Sequence, residues 1–532
     1  MINPRRVAEA LDVSTDVLVV GGGPAGAWAA VAAAEAGSRV ILVDKGYLGT
    51  SGATAPSNTG TWFVPPGEGR RAAIEQRQPR TGGLADPRWV DRTLDTAWDK
   101  LHCLATWGYP FPRDDEGQPY LANLRGPDYM HFMRRRVLGA GVMVLDHHPA
   151  LELLGNGETV AGAGGIDRQR SRPWQVRAAA VVLATGGCAF GERILGSATL
   201  TGDGYLMAAE AGALLSGMEF SAQYAFTPRP SALNKGLPFR WASFTRQDGT
   251  PISTEGRDRH AAVAAALLDG PVFAQYDQAS PEVRQWLRQG QPNCFQPFDR
   301  IGVDPFTERW PVMLRCEGTV RGVGGIRLLD DDCATGVPGL YAAGDAASRE
   351  RLTGAISGGG GPNSSWAIAS GNWAGGAAAV FAARHGARSA ERPVTPLGQA
   401  GLRPARKARP GLDAHAIVRA VREEMLPLDR NFFRREATLR QSLERLDGCW
   451  ADLRGHEPAD GAAALQAREA AALTATSRWA YRSALARAES RGMHRRPDRP
   501  GADAGFACSL HASGLDEVRL ARADGRATEA VS

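Results

Sequence analysis

Glycines at positions 21, 23 and 26, in GGGPAG, have a spacing suited to phosphate chemistry. They lie between the apolar run DVLVV and the alanine-rich stretch PAGAWAAVAAAEAG. In that setting Gly21 permits a tight turn, Gly23 lets the backbone approach a pyrophosphate, and Gly26 lets helix and strand pack closely. A helix opening at this point turns N–H groups and the positive end of its dipole towards phosphate oxygens. Asp44, eighteen residues beyond Gly26, ends a second apolar run, SRVILVD. Its carboxylate is placed to accept the hydroxyls of an adenosine ribose, and Lys45 follows it. A second feature is the glycine-rich turn GTVRGVGGI, Gly318 to Ile326, where one charged side chain, Arg321, stands in tightly turned backbone.

These residues need a scaffold. Thr15 to Lys45 reads strand, glycine turn, helix, strand: one βαβ unit of a buried parallel sheet. AAAVVLATGG and GVPGLYAAGDAA read as further strands of the same sheet, about 150 residues apart. A sheet interrupted that way implies an inserted domain. The expected organisation is an α/β chain with a discontinuous Rossmann-like dinucleotide domain (1–225 and 326–392), an inserted α+β capping domain (226–325), a Pro- and Arg-rich linker (393–412), a helical domain (413–500) and a weakly patterned tail (501–532) expected to fray. In the helical segment, apolar residues recur at three- and four-residue spacing.

Four segments resemble, in order, the flavoprotein family of succinate dehydrogenase, fumarate reductase, L-aspartate oxidase and the adenylylsulfate reductase α subunit. They are TSGATAPSNTGTW (Thr50 to Trp62), ATGG with TGDGYLMAAEAGA (to Ala213), GLYAAGD with GPNSSWAIASGNWAGGAAA, and ESRGMHRRPD (Glu489 to Asp498). The resemblance implies FAD. Beyond the glycines, Asp44 and Lys45, it implies cofactor contacts from Ser51, Thr54, Ser57, Asn58, Thr59 and Gly60. It adds Ala184, Thr185, Gly186 and Asp203, then Asp345, Asn363, Ser364 and Ser365. Membrane-bound relatives attach FAD to a histidine in the segment corresponding to Thr50–Gly60. No histidine precedes His102, so non-covalent FAD is expected.

The family's substrate residues do not carry over. Val320 stands where a histidine would lie, Gly359 and Ala262 where arginines would lie, and SAQYAFTP replaces the segment with the HPT triplet. This argues against succinate, fumarate and aspartate as substrates. Candidates for a rebuilt site are Arg321, Tyr224, His260 and Arg349, with Gln223, Arg257, Arg351, Arg491 and His494 behind them. The expected activity is hydride transfer at flavin N5 on a small anionic substrate, by a dehydrogenase or reductase with a ferredoxin-like or other electron-transfer partner. The alternatives are an oxygen-using oxidase and a catalytically silent flavin-binding subunit.

The 532 residues carry a net charge of +5, and only four of the 62 basic residues are lysines. No nucleic-acid motif accompanies that charge. The seven cysteines include no CxxC pair, which argues against a disulfide framework or a metal site. No secretory leader and no apolar run long enough to span a bilayer are seen, so a cytoplasmic protein is expected.

Overall fold

The structure, a computed structural model, describes residues 10–526 except 114–115, 235, 255–257, 390–391, 406–408, 410 and 457–460. The central sheet has eight strands. Its first strand, Leu11–Val20, lies between Val40–Val43 and Arg172–Leu183 and is parallel to both. The register sets Val20 opposite both Val43 and Leu183, and Leu183 opposite Ala342 of a further parallel strand, Leu340–Ala342. Four strands thus end along one line. The loops that follow begin at Gly21, Asp44, Ala184 and Ala343, and all start at the same edge. Helices cover the sheet, so its central residues are fully buried and apolar.

The strand Arg172–Leu183 has two roles. Its first half pairs antiparallel with Val160–Asp167, and its last three residues pair parallel with Leu340–Ala342. The chain leaves this sheet after Leu183 and returns at Leu340, with the cap between. The cap sheet is antiparallel, ordered Gln223–Pro228, Trp310–Glu317, Val272–Gln275 and Ser243–Arg246. Its core is aromatic: Phe226, Phe239, Phe244, Tyr276, Phe298 and Trp310 are all buried. The cap sheet spans 223–317, so the turn bearing Arg321 lies just outside it.

Helices Ala414–Met425, Glu436–Gly455 and Ala462–Ala486 form the C-terminal bundle. Among the described residues, parts of the linker and of the tail form strands. In the linker, Thr395–Pro396 adds a short antiparallel strand to Ala150–Gly155, and Leu397 continues that pairing through its N–H to the Leu153 carbonyl. In the tail, Leu510–Ser513 and Arg519–Arg522 form a hairpin that joins Leu215–Ser216. Weak hydrophobic patterning hid this hairpin because its backbone is held by arginines from other elements. Arg487 donates to the carbonyls of Phe506 and Cys508, and Arg478 to those of Leu515 and Asp516. Among the described residues no helix is long and apolar enough to cross a membrane.

The helix Gly360–Ser389 crosses the first helix, Pro24–Glu35, at close range. A Cβ on Gly371 would lie 2.4 Å from the Ala25 carbonyl oxygen, and one on Gly375 would lie 2.2 Å from that of Ala29. Gly376 faces open space. Gly375→Val should therefore force the helices apart and cost about 2–3 kcal/mol. Gly376→Ala should be neutral or stabilise by about 0.5–1 kcal/mol. Urea denaturation midpoints check both.

A buried carboxylate couples the hairpin to pH. Glu350 accepts the Ser216 hydroxyl at 2.7 Å. Burial, then the neighbouring Glu219, lifts its pKa from 4.5 to about 7. The folded state therefore holds this proton more tightly than the unfolded chain. Its stabilising contribution is complete below pH 4.5 and is lost as pH rises to about 7. The loss amounts to about 3 kcal/mol at most. Glu350→Gln should flatten that part of the stability–pH profile, and parallel profiles for the two proteins would refute the assignment.

Candidate FAD and substrate site

A cavity of about 790 Å³ lies along the strand ends, a size usual for a cofactor pocket. Its floor is the glycine turn. Gly21 has φ +109°, and a Cβ there would lie 2.3 Å from the Ala184 carbonyl oxygen. Only glycine fits. Gly26 does not line the cavity. A Cβ on it would strike the Gly21 carbonyl oxygen, so Gly26 serves helix–strand packing.

Asp44 lines the cavity and is fixed by three donors. Gly22 N–H reaches Oδ2 at 2.5 Å, and Gly46 N–H and the Ser51 hydroxyl reach Oδ1 at 2.7 and 2.5 Å. The carboxylate thereby braces the phosphate turn as well as facing the cavity. Lys45 also lines it, but its ammonium is committed to protein. It meets Asp203 Oδ2 at 2.8 Å and Glu469 Oε1 at 2.7 Å, so it locks the helical bundle onto the nucleotide domain. Burial alone would lower the Lys45 pKa, but the two carboxylates outweigh it and raise the value.

Along the walls are Gly23, Ser51, Thr54, Ser57, Thr59, Ala184, Thr185, Gly186 and Asp203, and at the far end Asp345, Asn363, Ser364 and Arg321. Gly60 and Ser365 lie outside. Ser365 is buried, accepts the Trp62 N–H at 2.9 Å, and so ties the long helix to the strand Asn58–Gly60. The side chain of Asn58 is outside the described residues. Three residues not expected from the sequence, His131, His148 and Arg168, also line the cavity. The three-residue strand Met143–Leu145 brings His148 there by pairing with Val40–Val43, and so short a strand has little sequence signal.

Three of the four residues expected to do chemistry lie elsewhere. Tyr224 is buried, with its hydroxyl donating to the Leu426 carbonyl at 3.0 Å and its ring against Phe432. The cap sheet turns it towards the helical bundle. His260 stacks on Phe226 at 4.3 Å, and burial holds its pKa down near 4. It is a cap-core residue. Arg349 is fully buried, pairs with Asp345, and donates to the carbonyls of Thr319 at 2.9 Å, Val320 at 3.2 Å, and Gly322. It fastens the turn that carries Arg321 and so is a positioning residue.

The remaining candidates are also structural. Gln223 donates to the Tyr224 carbonyl, and Arg351 lies over Trp89. Arg491 pairs with Glu489, and buried His494 bridges Arg434 and the Arg487 carbonyl. Arg257 is outside the described residues.

The residues present fit FAD. The Asn363 amide nitrogen and oxygen and the Thr185 hydroxyl are buried without a protein partner, and both residues line the cavity. Buried polar atoms left this way call for a ligand. The FAD binding domain family matches residues 16–235, and the fumarate reductase flavoprotein C-terminal family matches residues 423–521. This chain belongs to the succinate dehydrogenase and fumarate reductase flavoprotein family. It is an FAD-dependent oxidoreductase.

The CoM/CoB fumarate reductase of Methanothermobacter marburgensis has a subunit that is 26% identical, over 91% of this chain and 94% of that protein. The L-aspartate oxidase of a Nostoc species is 28% identical, over 63% of this chain and 62% of its own length. The flavoprotein shares its fold with E. coli quinol fumarate reductase at 21% identity and a TM-score of 0.80, with 98% of each chain covered. It also shares it with adenylylsulfate reductase of Archaeoglobus fulgidus at 19% identity and 0.75, with 99% of this chain and 98% of that one covered.

Asn363→Ala should weaken FAD binding about tenfold, the effect of one lost hydrogen bond to the cofactor. Tyr224→Phe should leave FAD affinity and flavin reduction rates unchanged. Fluorescence titration of apoprotein and anaerobic stopped-flow reduction measure the two.

Proposed function

We propose that this flavoprotein transfers hydride between non-covalently held FAD and a small anionic substrate other than succinate or fumarate, and passes electrons to a separate carrier. The observation that carries this reading is Arg321. It lines the FAD cavity beside Asp345, on a turn clamped from beneath by the buried Arg349. Glu317 lies 3.4 Å from its Nε and orients the guanidinium.

When bound, FAD supplies hydride acceptance and donation at N5. The protein supplies the rest. Asn363, Ser364 and the first turn of Gly360–Ser389 offer hydrogen bonds and the positive end of a helix dipole to the cofactor. Asp44 and the glycine turn hold the adenosine and pyrophosphate. Arg321 anchors the substrate's charge, a task suited to a guanidinium that stays protonated. Val320, buried at the cavity wall, is apolar where the family's fumarate enzymes place a histidine, and Gly359 has no side chain to meet a second carboxylate. These two positions support the exclusion of dicarboxylates.

Acid precipitation should release all of the flavin into the supernatant, since the cavity segment 50–60 has no histidine. Photoreduced holoprotein mixed with air-saturated buffer should reoxidise slowly, over seconds or longer, without stoichiometric peroxide. It should not be reoxidised by fumarate. Rapid return of the oxidised bands with peroxide would replace this reading with an oxidase, and turnover with fumarate would restore the dicarboxylate site. Arg321→Ala should leave FAD content intact and abolish anion-induced changes in the flavin spectrum.

A further inference from the structure

A short segment of the cap, 231–234, ties two cavity-lining residues together. The Ala232 carbonyl accepts the Leu195 N–H at 2.8 Å. Two residues on, the Asn234 amide nitrogen donates to Glu317 Oε1 at 2.6 Å, and that same oxygen lies 3.4 Å from Arg321 Nε. Two residues of chain span at most about 7 Å. Leu195 and Arg321, which both line the cavity, are thus held at one end of it. The loop bearing Leu195 is fixed from its other side too. Arg315 donates to the Ser231 carbonyl at 2.6 Å and to Glu192 Oε1 at 2.7 Å. Gly196 has φ +81°, and a Cβ there would lie 2.8 Å from Pro56 Cγ, so the loop seats directly on the cavity segment around Pro56.

This end of the cavity is apolar apart from one cation. Leu195 is 36% exposed, and Val320, Ala55 and Pro56 line the cavity with it. Gly360 lines it as well, and a Cβ there would meet nothing within 4 Å, which leaves room beside the wall. Among the described residues only three lysines or arginines line the cavity: Lys45, Arg168 and Arg321. Lys45 is bound to Asp203 and Glu469, and Arg168 donates to the Lys45 carbonyl at 3.1 Å, so both stand beside Asp44 at the adenosine end. Arg321 is alone at the other end, and two carboxylates, Glu317 and Asp345, act on it there. A second negative charge on a ligand would meet those carboxylates rather than a second cation.

We propose that the substrate is a monoanion with an apolar chain, its one oxyanion group on Arg321 and its chain against Leu195, Val320 and Pro56. The inference rests on the reading of Arg321 as the anion anchor beside FAD. It narrows that small anion to a single charge and an apolar body, and it gives the cap a part in selecting it, through the hold of segment 231–234 on Leu195.

The test is titration of the holoprotein with acetate, butyrate and hexanoate at constant ionic strength, followed through the flavin absorption bands. Each added methylene should tighten binding about two- to fourfold. Hexanoate should therefore bind at least about tenfold more tightly than acetate. Neutral butyramide should shift nothing. Succinate, which has the carbon count of butyrate, should bind at least about tenfold more weakly than butyrate. Equal affinities for acetate and hexanoate would overturn the inference and leave Arg321 as an anion anchor without an apolar partner. Succinate as tight as butyrate would overturn it together with the exclusion of dicarboxylates. No spectral response to any carboxylate would remove the anchor, and the inference with it.

Leu195→Ala changes an exposed side chain and should keep its FAD content and its acetate affinity. It should lose most of the dependence on chain length. An unchanged series in Leu195→Ala would refute the apolar wall. Loss of FAD from this variant would place Leu195 under the cofactor and refute it equally.

Discussion

The parallel register of the strand Leu11–Val20 sets the geometry of everything else. Because Val20, Val43, Leu183 and Ala342 end abreast, the backbone beyond each is delivered to one edge. A slip of one residue would move Gly21 away from the Ala184 carbonyl against which only glycine fits. The cavity follows from that register, as ligand sites at the carboxyl edge of open α/β sheets generally do.

Around this edge the chain uses buried arginines as fasteners. Arg349 holds the turn 319–322 to Asp345. Arg487 joins Glu219, Glu489 and the tail, Arg468 joins Glu210 to the Leu151 carbonyl, and Arg495 joins the helical domain to Asp258 at the base of the cap. Each satisfies several carbonyls or carboxylates from segments far apart in sequence, which apolar contacts cannot do with the same directionality. Breaking such a pair by removing one partner leaves a charge buried. The arginine-rich composition thus has a structural use.

The candidate site was legible in uneven measure. The glycine turn, Asp44 and the later small-residue segments depend on local backbone demands, and local demands are written in local sequence. Tyr224, His260 and Arg349 were attractive by residue type and by place in the chain, yet strand alternation and cap packing turn the first two into cores. Arg349 lies four residues after the cavity-lining Asp345 and points beneath the turn 319–322. His148 was missed because a three-residue strand delivers it, and Arg168 because it follows the strand Val160–Asp167 and is held beside it by its N–H to the His147 carbonyl.

By itself the sequence determined the βαβ unit, the interrupted sheet and the helical third, because periodicity and glycine placement are set by backbone sterics within a few residues; FAD was implied by the four segments that resemble the flavoprotein family. The tertiary structure alone decided which charges face the cavity. Whether an arginine is a fastener or an anchor depends on whether a carboxylate or carbonyl from a distant segment reaches it, and only the packed chain brings those partners together.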